Sequence, residues 1–110
     1  MGIIDNLEAM LARGQDSGLL RYSLGNEYLK QGDNENAVAH LREALQQDPD
    51  YSAAWKLYGK ALQAASQHQD AIDAFDKGVE IAERNGELQA AKEMRVFRKR
   101  SEKALASRAG

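Results

Sequence analysis

The stretch Leu24-Gly25-Asn26-Glu27-Tyr28-Leu29-Lys30-Gln31-Gly32, continued by Ala37, Leu41, Ala44, Leu45 and Pro49, decides how the rest of the chain is read. Moved along by 34 residues, its spacing returns: Gly25 falls on Gly59, Ala37 on Ala71, Leu41 on Phe75, Ala44 on Gly78, Leu45 on Val79 and Tyr28 on Leu62. Small residues meet small ones and large apolar residues meet large ones. A fixed period of this length marks a fold built by stacking one supersecondary unit on the next.

Within each unit the apolar residues step by three or four. Leu20, Leu24 and Tyr28, then Ala37, Leu41 and Leu45, form two stripes in the first unit; Ala54, Trp55, Tyr58 and Leu62, then Ala71, Phe75 and Val79, form two in the second. Each unit is therefore expected to be a pair of amphipathic helices. Helix-breaking and capping residues fall where such pairs need them: Gly32-Asp33-Asn34, Asp48-Pro49-Asp50, Ser66-Gln67-His68 and Asn85-Gly86. Leu24-Gly25-x-x-Tyr28-x-x-x-Gly32 with Ala37, Leu41, Ala44-Leu45 and Pro49 resembles a tetratricopeptide repeat. So does Trp55-x-x-Tyr58-Gly59-x-x-Leu62 with Ala71, Phe75 and Val79. Arg21 stands in place of the family's first-helix tryptophan in unit one. Gly78 and Glu83 stand where unit two would carry alanine and proline, which extends the last repeat helix toward Asn85.

Slid backwards by the same period, Ile3, Leu7, Met10 and Leu11 lie over Ala37, Leu41, Ala44 and Leu45, so the first helix reads as the second half of a repeat. After Gly86 the repeat positions fall on Gln89, Lys92, Glu93 and Val96 and match poorly. That last helix places Ala90, Met94, Phe97, Ser101, Ala104 and Leu105 on one face and Lys92, Arg95, Lys99 and Lys103 on the other, as expected of a cap with a polar outer side. The expected architecture is all-α: a right-handed antiparallel α-α superhelix of about six helices in one domain. Residues 1–17 form a half repeat, 18–51 repeat one, 52–85 repeat two and 86–110 a basic capping helix.

Composition agrees. Eighteen alanines and twelve leucines against seven β-branched residues favour helix, and 110 residues suffice for one core without staples. The absence of cysteine removes disulfide frameworks, thiolate zinc sites and cysteine nucleophiles. The opening Met1-Gly2-Ile3-Ile4-Asp5-Asn6 has no basic segment ahead of an apolar one, and Asn6 stands where a myristoylation signal wants Ser or Thr. The expectation is a soluble, cytoplasmic protein without a membrane segment. His40 and His68 lack any zinc-protease spacing, no serine elbow or phosphate-cradling glycine loop is present, and both histidines are expected at the surface. No enzyme activity, cofactor or metal is expected.

The net charge of −2 hides a division: residues 1–85 sum to −6 and residues 86–110 to +4. Asp73, Asp76, Glu80 and Glu83 line one face of the second repeat's outer helix, a pattern usual for a solvated surface. The basic face of the last helix, Lys92, Arg95, Lys99 and Lys103, is a possible second surface. Phe97 and Met94 lie on its other side, so no stacking platform accompanies the cations, and the acidic repeat body argues against nucleic acid.

The family resemblance implies a concave groove lined by the first helix of each repeat. Its groove positions correspond to Leu19, Tyr22, Asn26, Leu29 and Lys30 in unit one and Ala53, Lys56, Lys60, Gln63 and Ala64 in unit two. Tyr22, Asn26, Lys30, Lys56, Lys60 and Gln63 are the candidate partner-binding residues. Their mildly basic set suits a protein or peptide with acidic side chains or a free C-terminal carboxylate. Some family members clamp such a carboxylate with lysines and asparagines; only Asn26 matches, Tyr22 and Leu57 replacing two clamp residues. The leading expectation is a non-enzymatic interaction scaffold. The alternatives are homo-oligomerisation, with the basic helix of one copy on the acidic repeat body of another, and, ranked below it, nucleic-acid binding.

Overall fold

The computed structural model describes residues 2–109, and among them six α-helices and no strand are found: α1 (Ile3–Ala12), α2 (Gly18–Lys30), α3 (Asn34–Gln47), α4 (Ser52–Ala64), α5 (His68–Arg84) and α6 (Leu88–Ala109). Four of the helices stop in the same way. At the end of α2, Gly32 adopts φ +79°, and the Asp33 amide donates back to the Tyr28 carbonyl at 3.0 Å. This is the Schellman closure, which satisfies carbonyls that the last turn would leave unpaired. It recurs as Gln15 to Met10, Gln67 to Leu62 and Glu87 to Ala82, around Gly14, Ser66 and Gly86. Ser66 occupies the left-handed position that Gly32 holds one period earlier, at φ 62°, a conformation costly to any residue with a Cβ. Helix starts are capped from the side chain at Ser17, whose Oγ accepts from the Leu20 amide, and at Asp33, which accepts from the Asn36 amide.

The two helix pairs close on their glycines. Gly25 of α2 lies against the Leu41 side chain of α3, and Gly59 of α4 against the Phe75 ring of α5; a Cβ on either glycine would come within 2.5 Å of its neighbour. Leu24, Leu41, Leu62, Phe75, Ile81 and Met94 are fully buried. Trp55 and Tyr58 are half-buried at the edge of this core, the indole N–H donating to the Pro49 carbonyl at 2.8 Å. The next pair follows the same logic, with α4 packing along α3 and touching α2, and α6 packing along α5 and touching α4. The backbones of α3 and α5, and of α1 and α3, stay farther apart, α1 reaching α3 only through side chains such as Glu8 to His40. The layer α2, α4, α6 is therefore the tighter one and forms the inside of the curve. α6 buries Ala91, Met94 and Ser101 and half-buries Ala90, Phe97, Ala104 and Leu105.

α1 is the least embedded element: it rests on α2 and has no fully buried residue. Polar contacts hold it. The Tyr28 hydroxyl donates to Glu8 Oε1 at 3.2 Å, and His40 Nε2 lies 3.3 Å from the same oxygen. The expectation of two surface histidines is corrected here. His40 is only 12% exposed, its ring stacked on Tyr28 (centroids 5.4 Å apart, planes within 4°), because α1 is laid across a flank that its own helix's periodicity leaves open. His68 is half-buried, Nδ1 lying 3.1 Å from Ser101 Oγ. α5 stops at Arg84, Asn85 forming its C-cap.

The concave face as a candidate interface

On the inner layer, α6 meets α4 through side chains that the sequence places in the groove. Lys56 Nζ is 2.9 Å from Glu93 Oε1, and this hydrogen bond holds the Glu93 carboxyl below its ordinary range. Gln63 Nε2 donates to the Phe97 carbonyl at 2.7 Å and to Ser101 Oγ at 2.8 Å. Ser101 is fully buried, so these bonds and the one to His68 satisfy a hydroxyl that would otherwise be costly inside the protein. Lys60 makes no such tie. Its Nζ lies 5.0 Å from the centroid of the Phe97 ring, and the Arg100 guanidinium lies 4.9 Å from the same centroid. A ring flanked by two cations is a cation–π arrangement that leaves both charges available to an anion.

The unit-one candidates sit apart from α6. Tyr22 is half-buried with its ring 4.9 Å from that of Tyr51, just ahead of α4; Asn26 is half-buried; Lys30 is exposed at the end of α2 and pairs locally with Glu27 at 3.3 Å. Lys56 and Gln63 thus hold helices together, whereas Tyr22, Asn26 and Lys60 are not tied to α6 by a hydrogen bond. Glu93, Phe97 and Arg100 are inner-face residues that sequence reasoning missed, because the repeat pattern fails after Gly86. Phe97 stands one period after Gln63, which was the one available signal.

On the outer side the charge division is partly resolved within the molecule. Arg95 pairs with Glu83, and Arg98 pairs with Asp76 and Glu102, both at 2.6 Å. Asp76 and Glu102 hold the Arg98 guanidinium above its usual pKa. Asp76, Arg95, Arg98 and Glu102 with Val79 and Lys99 line a cleft of about 340 Å³ between α5 and α6. Of the predicted basic face, Arg95 is therefore engaged, while Lys92, Lys99 and Lys103 are exposed with no carboxylate within 4 Å among the described residues. Among those residues no group of His, Asp and Glu is placed to hold a metal ion, and no helix is long and apolar enough to cross a membrane.

Paired antiparallel helices joined by identical closures, packed through small residues and curved around an inner layer of first helices, define a helical-repeat interaction module. The chain belongs to the tetratricopeptide repeat family, whose sequence model matches residues 22–87. It is similar to a TPR repeat-containing protein of Pseudomonas aeruginosa, 48% identical over 102 residues that cover 93% of this chain and 97% of the relative. A solution structure of a Bordetella parapertussis protein superposes with a TM-score of 0.82 at 41% identity, covering 94% of this chain and 90% of that one. A crystal structure of a tetratricopeptide repeat domain protein from Salinibacter ruber gives 0.71 at 29% identity, covering 79% and 97%. Proteins of this family are in general non-enzymatic modules of protein–protein interaction.

Proposed function

We propose that this protein is a scaffold whose inner layer holds an extended segment of a protein partner bearing carboxylates, either acidic side chains or a free C-terminus. Lys60 and Arg100, both beside Phe97 and with no carboxylate within 4 Å among the described residues, carry this reading. Tyr22 and Asn26 would contact the same segment along α2, and Lys30 would border it at the exposed end of that helix. Lys56 and Gln63 take part by fixing α6, so that Phe97 and Arg100 are presented at a constant distance from α4. In this proposal residues 1–17 act as a half repeat, 18–51 and 52–85 as full repeats, and 86–110 as the helix that closes the stack.

The test is a two-dimensional amide NMR titration with an Asp/Glu-rich decapeptide carrying a free C-terminus, against an amidated Asn/Gln counterpart. The acidic peptide should shift amides around Tyr22, Asn26, Lys60 and Arg100. The Lys60→Glu, Arg100→Glu variant should lose the effect. Equal shifts with both peptides, or shifts confined to α3 and α5, would remove the inner layer from consideration.

A further inference from the structure

Two incompletely covered apolar faces lie at opposite ends of the stack. On α6 the side turned away from α4 and α5 shows Leu88 at 69% and Val96 at 50% exposure, with Lys92, Lys99 and Lys103 between and beyond them. On α1, Ile3 is 55% exposed, Leu7 and Met10 are only half-buried, and Asp5 and Glu8 stand beside them. α6 stands to α5 and α4 as α4 stands to α3 and α2, which is the place of a first helix in a pair. α4 has a second helix, α5, on its next flank; among the described residues the corresponding flank of α6 is open. α1 carries a second-helix pattern, Ile3, Leu7, Met10 and Leu11 lying one period before Ala37, Leu41, Ala44 and Leu45.

We infer that copies of this chain associate head to tail, the outer face of α6 on one copy receiving the exposed side of α1 on the next. The docked helix would lie on the flank of α6 that corresponds to the α5 side of α4, without the close glycine contact of that pair, and cover Leu88 and Val96 with Ile3 and Met10. Charge supports a second copy as the occupant: Lys92, Lys99 and Lys103 face outward on α6, and on α1 Asp5 is exposed with no cation within 4 Å among the described residues, while Glu8 and Asp16 are already held within their own chain. Two carboxylates of α5, Asp76 and Glu83, already pair with Arg98 and Arg95 of their own chain. The contact is heterologous, joining two different surfaces, so each docking leaves a free α6 face and a free α1 face for further copies. One helix pair is a small interface, which places the association at tens to hundreds of micromolar, about −5 to −6 kcal/mol.

Sedimentation velocity of the purified chain between ~10 µM and ~1 mM tests this. The wild type should grow in mass with concentration from the 12.2 kDa monomer. Ile3→Glu, which blocks α1, and Leu88→Glu with Val96→Glu, which blocks α6, should each remain monomeric. These substitutions fall on exposed positions, so circular dichroism should stay unchanged. Mixed in equal amounts, the two blocked proteins should form a dimer and nothing larger, because each supplies the face the other lacks. A wild type that stays monomeric throughout overturns the inference. So does an Ile3→Glu protein that still self-associates, which would mean α6 docking on its own kind, or a mixture that fails to dimerise.

Discussion

At Gly59 two helices approach closely, and replacing it with alanine sets two effects of opposite sign against each other. Alanine is the better helix former by about 1 kcal/mol, so in an open helix the change would stabilise. Here the new Cβ would lie 2.4 Å from Phe75 Cε1 and 2.7 Å from both Cδ1 and Cζ. The Phe75 ring is rigid and fully buried, so it cannot swing aside and α4 must move away from α5. Because the ring cannot move, the overpacking cost falls in the upper part of the usual range, about 2–3 kcal/mol, leaving a net destabilisation of about 1–2 kcal/mol. For a domain of this size that lowers the thermal midpoint by roughly 4–15 °C. Gly78→Ala is the internal control. The nearest atom there is the sulfur of Met94, a flexible thioether that can turn away, and the second is Trp55 Cβ at 3.0 Å, so the net effect should be smaller. Urea denaturation of Gly59→Ala, Phe75→Leu and the double variant measures the clash directly, since the pair should lose less than the sum of the singles. If Gly59→Ala is as stable as the wild type, the two helices are not in contact through that glycine and the repeat packing is misread.

Ser66→Gly should raise stability by about 0.5–1 kcal/mol, because glycine holds the left-handed conformation without the Cβ penalty; an unchanged urea midpoint would place Ser66 elsewhere in backbone space. Gln63→Leu should destabilise by about 1–3 kcal/mol by removing two hydrogen bonds at the buried Ser101 hydroxyl and the Phe97 carbonyl, and should speed hydrogen exchange in α6 before that in α3. Burial lowers the pKa of His40 in the folded protein, with Arg21 pushing the same way and Glu8 opposing. Its contribution is therefore intact above the unfolded value near 6.5 and is lost as pH falls through the depressed folded value; urea midpoints at pH 7.5 and 5.5 should converge in His40→Gln. Amides of α1 should exchange fastest among the helices, since no residue there is fully buried.

The helix count, the four turns and the recurrence of the glycines are written in local pattern. A 3.6-residue stripe, a glycine one closure beyond it, and small residues falling on small ones and large on large ones 34 positions on are each visible without knowing where any helix lies in space. The period sets Gly25 on Gly59 and Leu41 on Phe75, but that each glycine meets the large residue 16 positions on is decided by the packed helices. Lys56 and Gln63 show the boundary of such reading. Their positions identified the face, but whether they stay open there depends on what comes next to α4, and the repeat pattern is degenerate in α6. The basic face of α6 shows the same boundary from the other side, since Arg95 is claimed by a carboxylate of α5 while Lys99 one turn on is free.

The sequence by itself therefore determined the stack: all-α, antiparallel pairs, a period of 34, and a division of charge between the repeats and the last helix. Tertiary structure alone decided which charges are spent. Ion pairs and buried hydrogen bonds join residues on different helices, and their partners are selected by rotation and distance between helix axes, which no stripe encodes. It assigned Lys56 to Glu93, brought Lys60 and Arg100 together at the Phe97 ring, enclosed His40 beneath α1, and left Leu88, Val96 and three lysines facing outward.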